Sequence, residues 1–195
     1  MAIRPRLLVL SMLGALAISV PAGYAMYRIT TPNVDAILDE AGIYDIPLDD
    51  DALDGDTLDG AGRPLPDIEL LDAADTAVRS GSLVGAPAVI NVWFAACPPC
   101  ERELPDFAEV HSEYADRVRF VGVNPFDDVE RMTEFARQRG VAYELWRDPD
   151  SSFIDAVGVA AFPVTYFVDA DGLIVREAGV LDAEQLRRRV EELLG

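Results

Sequence analysis

The chain has 195 residues, half of them apolar, which leaves room for one ordinary domain plus a segment at one end and excludes two large domains. Its 35 acidic residues face 16 basic ones, every one an arginine, and the formal charge of −19 excludes the clustered positive surface that nucleic acid requires. Two cysteines three residues apart make no disulfide framework, and a bridge between them closes too small a loop to add much stability, so the pair speaks for chemistry rather than scaffolding.

Arg4 and Arg6 precede an apolar stretch over residues 7–26, LLVLSMLGALAISVPAGYAM. At about 1.5 Å per residue it reaches across roughly 30 Å of hydrocarbon, and the arginines on its N-terminal side place everything downstream outside the cytoplasm. Residues 1–27 are therefore expected to form an N-terminal signal anchor, a single transmembrane helix. Cleavage near Gly23-Tyr24-Ala25 would instead release a secreted or periplasmic protein. No cysteine lies near this segment, which excludes a lipoprotein anchor. Residues 28–61 are rich in Asp and Gly, with Asp49-Asp50-Asp51 and DALDGDTLDG, and read as an acidic flexible spacer. No register within them sets the acids as a calcium loop would need.

From residue 62 to residue 195 strand and helix signals alternate, the pattern of an α/β sheet. Residues 88–94 (AVINVWF) and 118–123 (VRFVGV) are continuous apolar runs of strand length, expected to be buried central strands. Between them Leu104, Phe107, Ala108 and Val110 give helical spacing from Pro98 to about Tyr114, with a kink expected at Pro105. Asp127 or Asp128 can cap a second helix through Met132, Phe135 and Ala136 that stops at Gly140. Residues 164–168 and 173–175, joined by Asp169-Ala170-Asp171-Gly172, read as a hairpin, and Asp182 as the cap of a last helix through Leu186, Val190 and Leu193.

The cysteines, in Trp93-Phe94-Ala95-Ala96-Cys97-Pro98-Pro99-Cys100, fall where the first buried strand ends and a helix begins. Free N–H groups and the positive end of the helix dipole favour an anion there, so a cysteine at that point has a lowered pKa and a larger thiolate fraction. Cys97 is expected to be the exposed, attacking sulfur, and Cys100, one turn inward, the one that resolves the mixed disulfide. Pro98 and Pro99 suit a helix entrance but remove two donors from the sulfur. A structural zinc site would need four ligands where the chain offers two cysteines and one histidine, and haem attachment would need His where Glu101 stands. Copper delivery would want a further His or Met; His111 falls on a helix face, and Met132 is the one methionine beyond the anchor.

Several motifs in order carry a resemblance: Gly62-Arg63-Pro64-Leu65-Pro66-Asp67-Ile68, NVWFAACPPC, Glu103-Leu104-Pro105, VGVN at 121–124 and FPVT at 162–165. From Gly62 onward the chain resembles the extracytoplasmic thioredoxin-like thiol-disulfide oxidoreductases of the TlpA, ResA and DsbE (CcmG) group. The resemblance implies a thioredoxin fold, a central mixed sheet flanked by helices, tethered to a membrane and exchanging dithiol for disulfide with exported or membrane-bound thiol proteins, with a membrane-embedded electron donor and no metal or organic cofactor. By that resemblance Pro163 is a cis-proline facing the cysteines, although the residues alone mark it only as the start of a strand. Phe162 would touch both disulfide and substrate, so that Phe162 and Pro163, with Pro98 and Pro99, are the candidate substrate-binding residues. Glu103 matches the family's carboxylate in C-x-x-C-x-x-E, where a partly buried acid could take the Cys100 proton or oppose thiolate; the other reading is an exposed glutamate on a first helical turn. Asn91 stands where thioredoxins carry a buried Asp, and Ala96 departs from the aromatic residue common before the first cysteine, leaving a smaller docking surface. Direction is expected to be reductive, with cytochrome c maturation one such service. A disulfide-introducing oxidase and a non-catalytic copper chaperone or redox adaptor are the alternatives.

Overall fold

The computed structural model describes residues 62–195 and the backbone of Asp56–Thr57. The expected anchor over residues 1–27 lies outside the described residues, as does the spacer apart from Asp56–Thr57. Among the described residues no helix is long and apolar enough to cross a membrane.

Nine strands among the described residues form one mixed sheet: β1 (Asp56–Thr57), β2 (Arg63–Pro64), β3 (Glu69–Asp72), β4 (Ala77–Arg79), β5 (Ala88–Val92), β6 (Arg119–Asn124), β7 (Glu144–Arg147), β8 (Val164–Val168) and β9 (Leu173–Ala178). Their order is β1-β9-β8-β5-β6-β7-β3-β4, with β2 also on β9. β5 and β6 pair in parallel, Ala88 opposite Arg119 through Val92 opposite Val123. β8 runs antiparallel on the other flank of β5. Every residue of β5 and β8 is buried, as expected of strands covered on both faces.

Alternation along the strands explains the two covers. Ala88, Ile90 and Val92 join one apolar core with Tyr166, Phe153 and Val157, the last two on the short helix α3 (Ser152–Val157). Val89, Phe120 and Phe167 point the other way, against Phe107 and Val110 of α1 (Pro98–Tyr114) and Leu186 and Val190 of α4 (Ala183–Leu194). The remaining helix, α2 (Val129–Gln138), brings Met132 and Ala136 to a third cluster with Trp93, Leu104 and both cysteines.

Of the two candidate caps for α2, Asp128 fills the role by accepting from Arg131 N, while Asp127 serves elsewhere. α2 closes with Gly140 at φ 77°, its N–H on Arg137 O and Val141 N–H on Ala136 O, a Schellman end. α1 runs on through Pro105, which is exposed on its surface. Asp182 caps α4 in a reciprocal pair with Gln185. The first central strand ends at Val92, two residues before its apolar run does. The β3–β4 hairpin, β7 and α3 carry no strong sequence signal. In the span read as spacer, Asp56–Thr57 pairs antiparallel with Glu177–Ala178.

Gly122 on β6 lies opposite Asn91 of β5 and Leu145 of β7. A Cβ there would stand 2.7 Å from Trp93 Nε1 and 3.0 Å from Leu145 Cδ2. Gly122→Ala is expected to cost roughly 1–3 kcal/mol by overpacking, read as a lowered urea midpoint. An unchanged midpoint would show that the indole swings aside freely.

Candidate active site

Where β5 ends, Trp93 N–H donates to Val123 O and the chain leaves the sheet through residues 94–96. Cys97 is the N-cap residue of α1, with Pro98 and Pro99 at the first two helical positions and Cys100 at the third. The two sulfurs are bonded, with Cα atoms 5.3 Å apart. Neither proline can donate, so the N–H that reaches the Cys97 sulfur is that of Cys100, at 3.3 Å. That bond and the helix dipole are what would hold a thiolate at Cys97 once the disulfide is opened.

The expectation of an exposed Cys97 needs correction. Cys97 is only 4% exposed and Cys100 fully buried. Cys97 is still the outer sulfur, but Phe94 and Phe162 pack on the cluster that contains both. Pro98 is exposed and Pro99 half-buried. The Phe162–Pro163 peptide is cis, Pro163 is buried, and β8 begins one residue later at Val164.

Glu103 is not an exposed first-turn residue: it is 1% exposed. Its Oε1 accepts from Asn91 Nδ2 at 2.8 Å and its Oε2 from Leu181 N at 3.3 Å, while Asn91 Nδ2 also lies 3.2 Å from Thr165 Oγ1. The carboxyl therefore ties α1 to β5 and to the loop before α4. Burial pushes its pKa up to about 8, and the donors Asn91 and Leu181 pull it back only in part. At neutral pH Glu103 is thus mainly uncharged, so like-charge opposition to a thiolate belongs above about pH 8. A protonated acid one turn beyond Cys100 is suited to hold and return a single proton.

Sequence reasoning missed how the loops meet. Asp127 Oδ2 accepts from Ala95 N at 2.6 Å and from Asn124 Nδ2 at 2.8 Å, and its Oδ1 pairs with Arg131 Nε at 2.9 Å. This carboxylate joins the loop after β5 to the loop after β6. The VGVN motif ended on Asn124, but nothing in the linear pattern showed that residues 95 and 127 would touch. His111 lies edge-on to Phe120 and Tyr143, away from the sulfurs on the helix's packing side. Among the described residues no group of three or more His, Cys, Asp or Glu stands together to hold a metal ion.

Residues 61–177 match the AhpC/TSA family. The thiol-disulfide oxidoreductase ResA of Halalkalibacterium halodurans is 27% identical over 135 residues, covering 69% of this chain and 77% of the relative. ResA of Geobacillus thermodenitrificans is 26% identical, covering 68% and 77%. Among solved structures, MTB dsbF in mixed oxidized and reduced forms is 31% identical with a TM-score of 0.61, covering 65% of this chain and 95% of that one. A secreted Mycobacterium tuberculosis disulfide oxidoreductase homologous to E. coli DsbE is 25% identical with a TM-score of 0.60, covering 65% and 96%.

The buried acid makes stability depend on pH in a stated direction. An unfolded chain releases the Glu103 proton near the ordinary value of 4.5, whereas the native state keeps it to about 8. The contribution is fully present below pH 4.5 and is lost as pH rises to about 8. Glu103→Gln removes this dependence. Between pH 4.5 and 8 the wild type is expected to lose about 4 to 5 kcal/mol relative to the variant, measured as the difference between urea unfolding curves. Parallel pH profiles for the two proteins would contradict a raised Glu103.

Proposed function

This chain belongs to the AhpC/TSA family and is a thiol-disulfide oxidoreductase with a Cys97–Cys100 pair, and we propose that it works outside the cytoplasm, mainly as a reductant of exported proteins. The observation that carries the exchange reading is the disulfide at the N-terminus of α1, with Phe162 packed on the same cluster and a buried acid one turn away. Support for the location comes from Arg4 and Arg6 ahead of the apolar residues 7–26, and from a relative described as secreted.

In the reductive direction Cys97 thiolate attacks one sulfur of a partner disulfide. A Cys97–partner bond forms, the partner's S–S bond breaks, and the departing sulfur takes up a proton. Cys100 then gives up its proton and attacks the Cys97 sulfur, and the partner leaves as a thiolate that is protonated in turn. Glu103, mainly protonated near neutrality, is the positioned acid-base group for the Cys100 proton, which its minor ionised fraction accepts. Two electrons have then passed to the partner, and a dithiol donor must restore the pair. We assign that donor to the membrane, and Phe162, Pro163, Pro98 and Pro99 to the surface that meets the partner.

Direction rests on the helix entrance. Two donors are lost to Pro98 and Pro99, so the reduced form gains little thiolate stabilisation and the pair is poised toward the reducing end. Cytochrome c maturation, to which the resemblance to the TlpA, ResA and DsbE group points, is a setting that needs such a reductant.

Two measurements test this. Cys100→Ser is expected to accumulate mixed disulfides with exported proteins, seen as higher-mass bands on non-reducing gels that vanish on reduction, while Cys97→Ser forms none. Adducts on Cys97→Ser alone would reverse the roles. The reduction potential is expected nearer to about −270 mV than to about −120 mV, and a value at the oxidising end would turn the reading to an oxidase.

A further inference from the structure

Three phenylalanines from three separate loops meet beside the disulfide. Phe94 leaves β5, Phe126 follows β6, and Phe162 precedes β8. Their ring centroids lie 5.1 Å (Phe94 to Phe126), 5.2 Å (Phe94 to Phe162) and 5.5 Å (Phe126 to Phe162) apart, so each touches both others. Phe94 and Phe162 are half-buried and pack on the cluster that holds both sulfurs. Phe126 is 59% exposed, whereas the other exposed large apolar residues among those described are the scattered valines 84, 175 and 180.

We propose that Phe126 and Phe94, together with Phe162, select the partner: they receive an apolar or aromatic side chain next to the partner cysteine that exchanges with Cys97. This rests on the reading that Cys97 attacks protein disulfides.

The placement of the rings is built in advance of any partner. Asn124 Oδ1 accepts from Phe126 N at 3.1 Å and Asp127 N at 2.9 Å, fixing the turn that presents Phe126. Asp127 in turn holds Ala95 N, the residue after Phe94, so one carboxylate sets the two loops against each other. A preorganised aromatic surface loses little freedom on binding and offers dispersion contact with no hydrogen bond to satisfy. The residue directly before Cys97 is Ala96, exposed but with only a methyl group to offer. The apolar docking surface that its sequence position seemed to lack is supplied by Phe94, two residues earlier, and by Phe126 from the loop after β6. An uncharged side chain is the fitting occupant, because Phe94 meets Phe162 and Phe126 edge to face, at 86° and 79°, so that the three rings brace one another and Phe126 offers the largest free apolar area.

The test uses the reduced full-length protein and synthetic peptides, each closed by one disulfide and differing only in the residue beside one cysteine: Leu, Phe, Ser or Arg. In each turnover the Cys97–Cys100 dithiol becomes a disulfide and the peptide disulfide becomes two thiols, with two electrons and two protons passing to the peptide; a small dithiol in excess reduces the pair again, and its direct reaction with the peptide is subtracted. The wild type is expected to show kcat/KM about tenfold higher for Leu and Phe than for Ser, carried by KM. Phe126→Ala should reduce that preference to within about threefold, with glutathione disulfide reduced at the wild-type rate and the urea midpoint unchanged. Phe126→Leu should keep most of the preference. A Phe126→Ala protein that discriminates as the wild type does, or a wild type that prefers Arg to Leu, would overturn the proposal. If the wild type reduced glutathione disulfide but none of the peptides, exchange with proteins itself would fail, a different result from loss of selectivity.

Discussion

Because all five residues of β5 are buried, with helix α3 behind one face and α1 and α4 over the other, the strand reaches water only beyond its ends, and the cysteine pair lies off the C-terminal one. There the chain must turn within residues 94–96 and start a helix against the same sheet. That turn sets Cys97 at the N-cap and Cys100 one turn in. The chemistry of the pair follows from this junction: an outer sulfur near the positive helix end, an inner one sealed in the apolar cluster of Trp93, Leu104 and Met132. Neither sulfur needs a deep pocket, because the substrate is another chain's sulfur brought to the surface.

Behind the junction the structure carries a cost. Glu103 has two hydrogen-bond donors, yet desolvation still outweighs them and keeps the carboxyl mainly protonated at neutral pH. A well-packed apolar residue would be the more stable choice at that position. Keeping an acid there leaves a titratable proton inside the protein, within one helical turn of the inner sulfur, with its pKa raised to about 8.

Much of this could be read from the residues. The limits of α1, the Asp182 cap and the β8–β9 hairpin followed from spacing, capping residues and turn chemistry. Burial of Glu103 was legible too: Cys100, Glu103, Leu104, Phe107, Val110 and Tyr114 are the buried residues of α1, and position 103 falls within their three- and four-residue spacing. What could not be read was tertiary. The strands β3, β4 and β7 are three or four residues long, too short for periodicity to register. Phe94 and Phe126 stand 32 positions apart, and the Asp127 carboxylate that sets their loops together leaves no trace in a linear pattern. Cys97 looked exposed because a helix start usually is; the ring of Phe94 just before it and that of Phe162 from a distant loop decide otherwise.

The lengths of the outer strands have a further consequence. At one end of the sheet the rim is β4, three residues whose Arg79 is engaged with Asp67; at the other, β9 is covered in two short stretches by β1 and β2. Neither rim offers a long row of open backbone groups, and so neither is a good template for annealing an additional strand. Strand addition at the sheet edge is thereby closed off as a way for another chain to adhere. The trimmed rims leave the disulfide and the side chains around it, off the end of β5, as the place where a thiol or disulfide can be met.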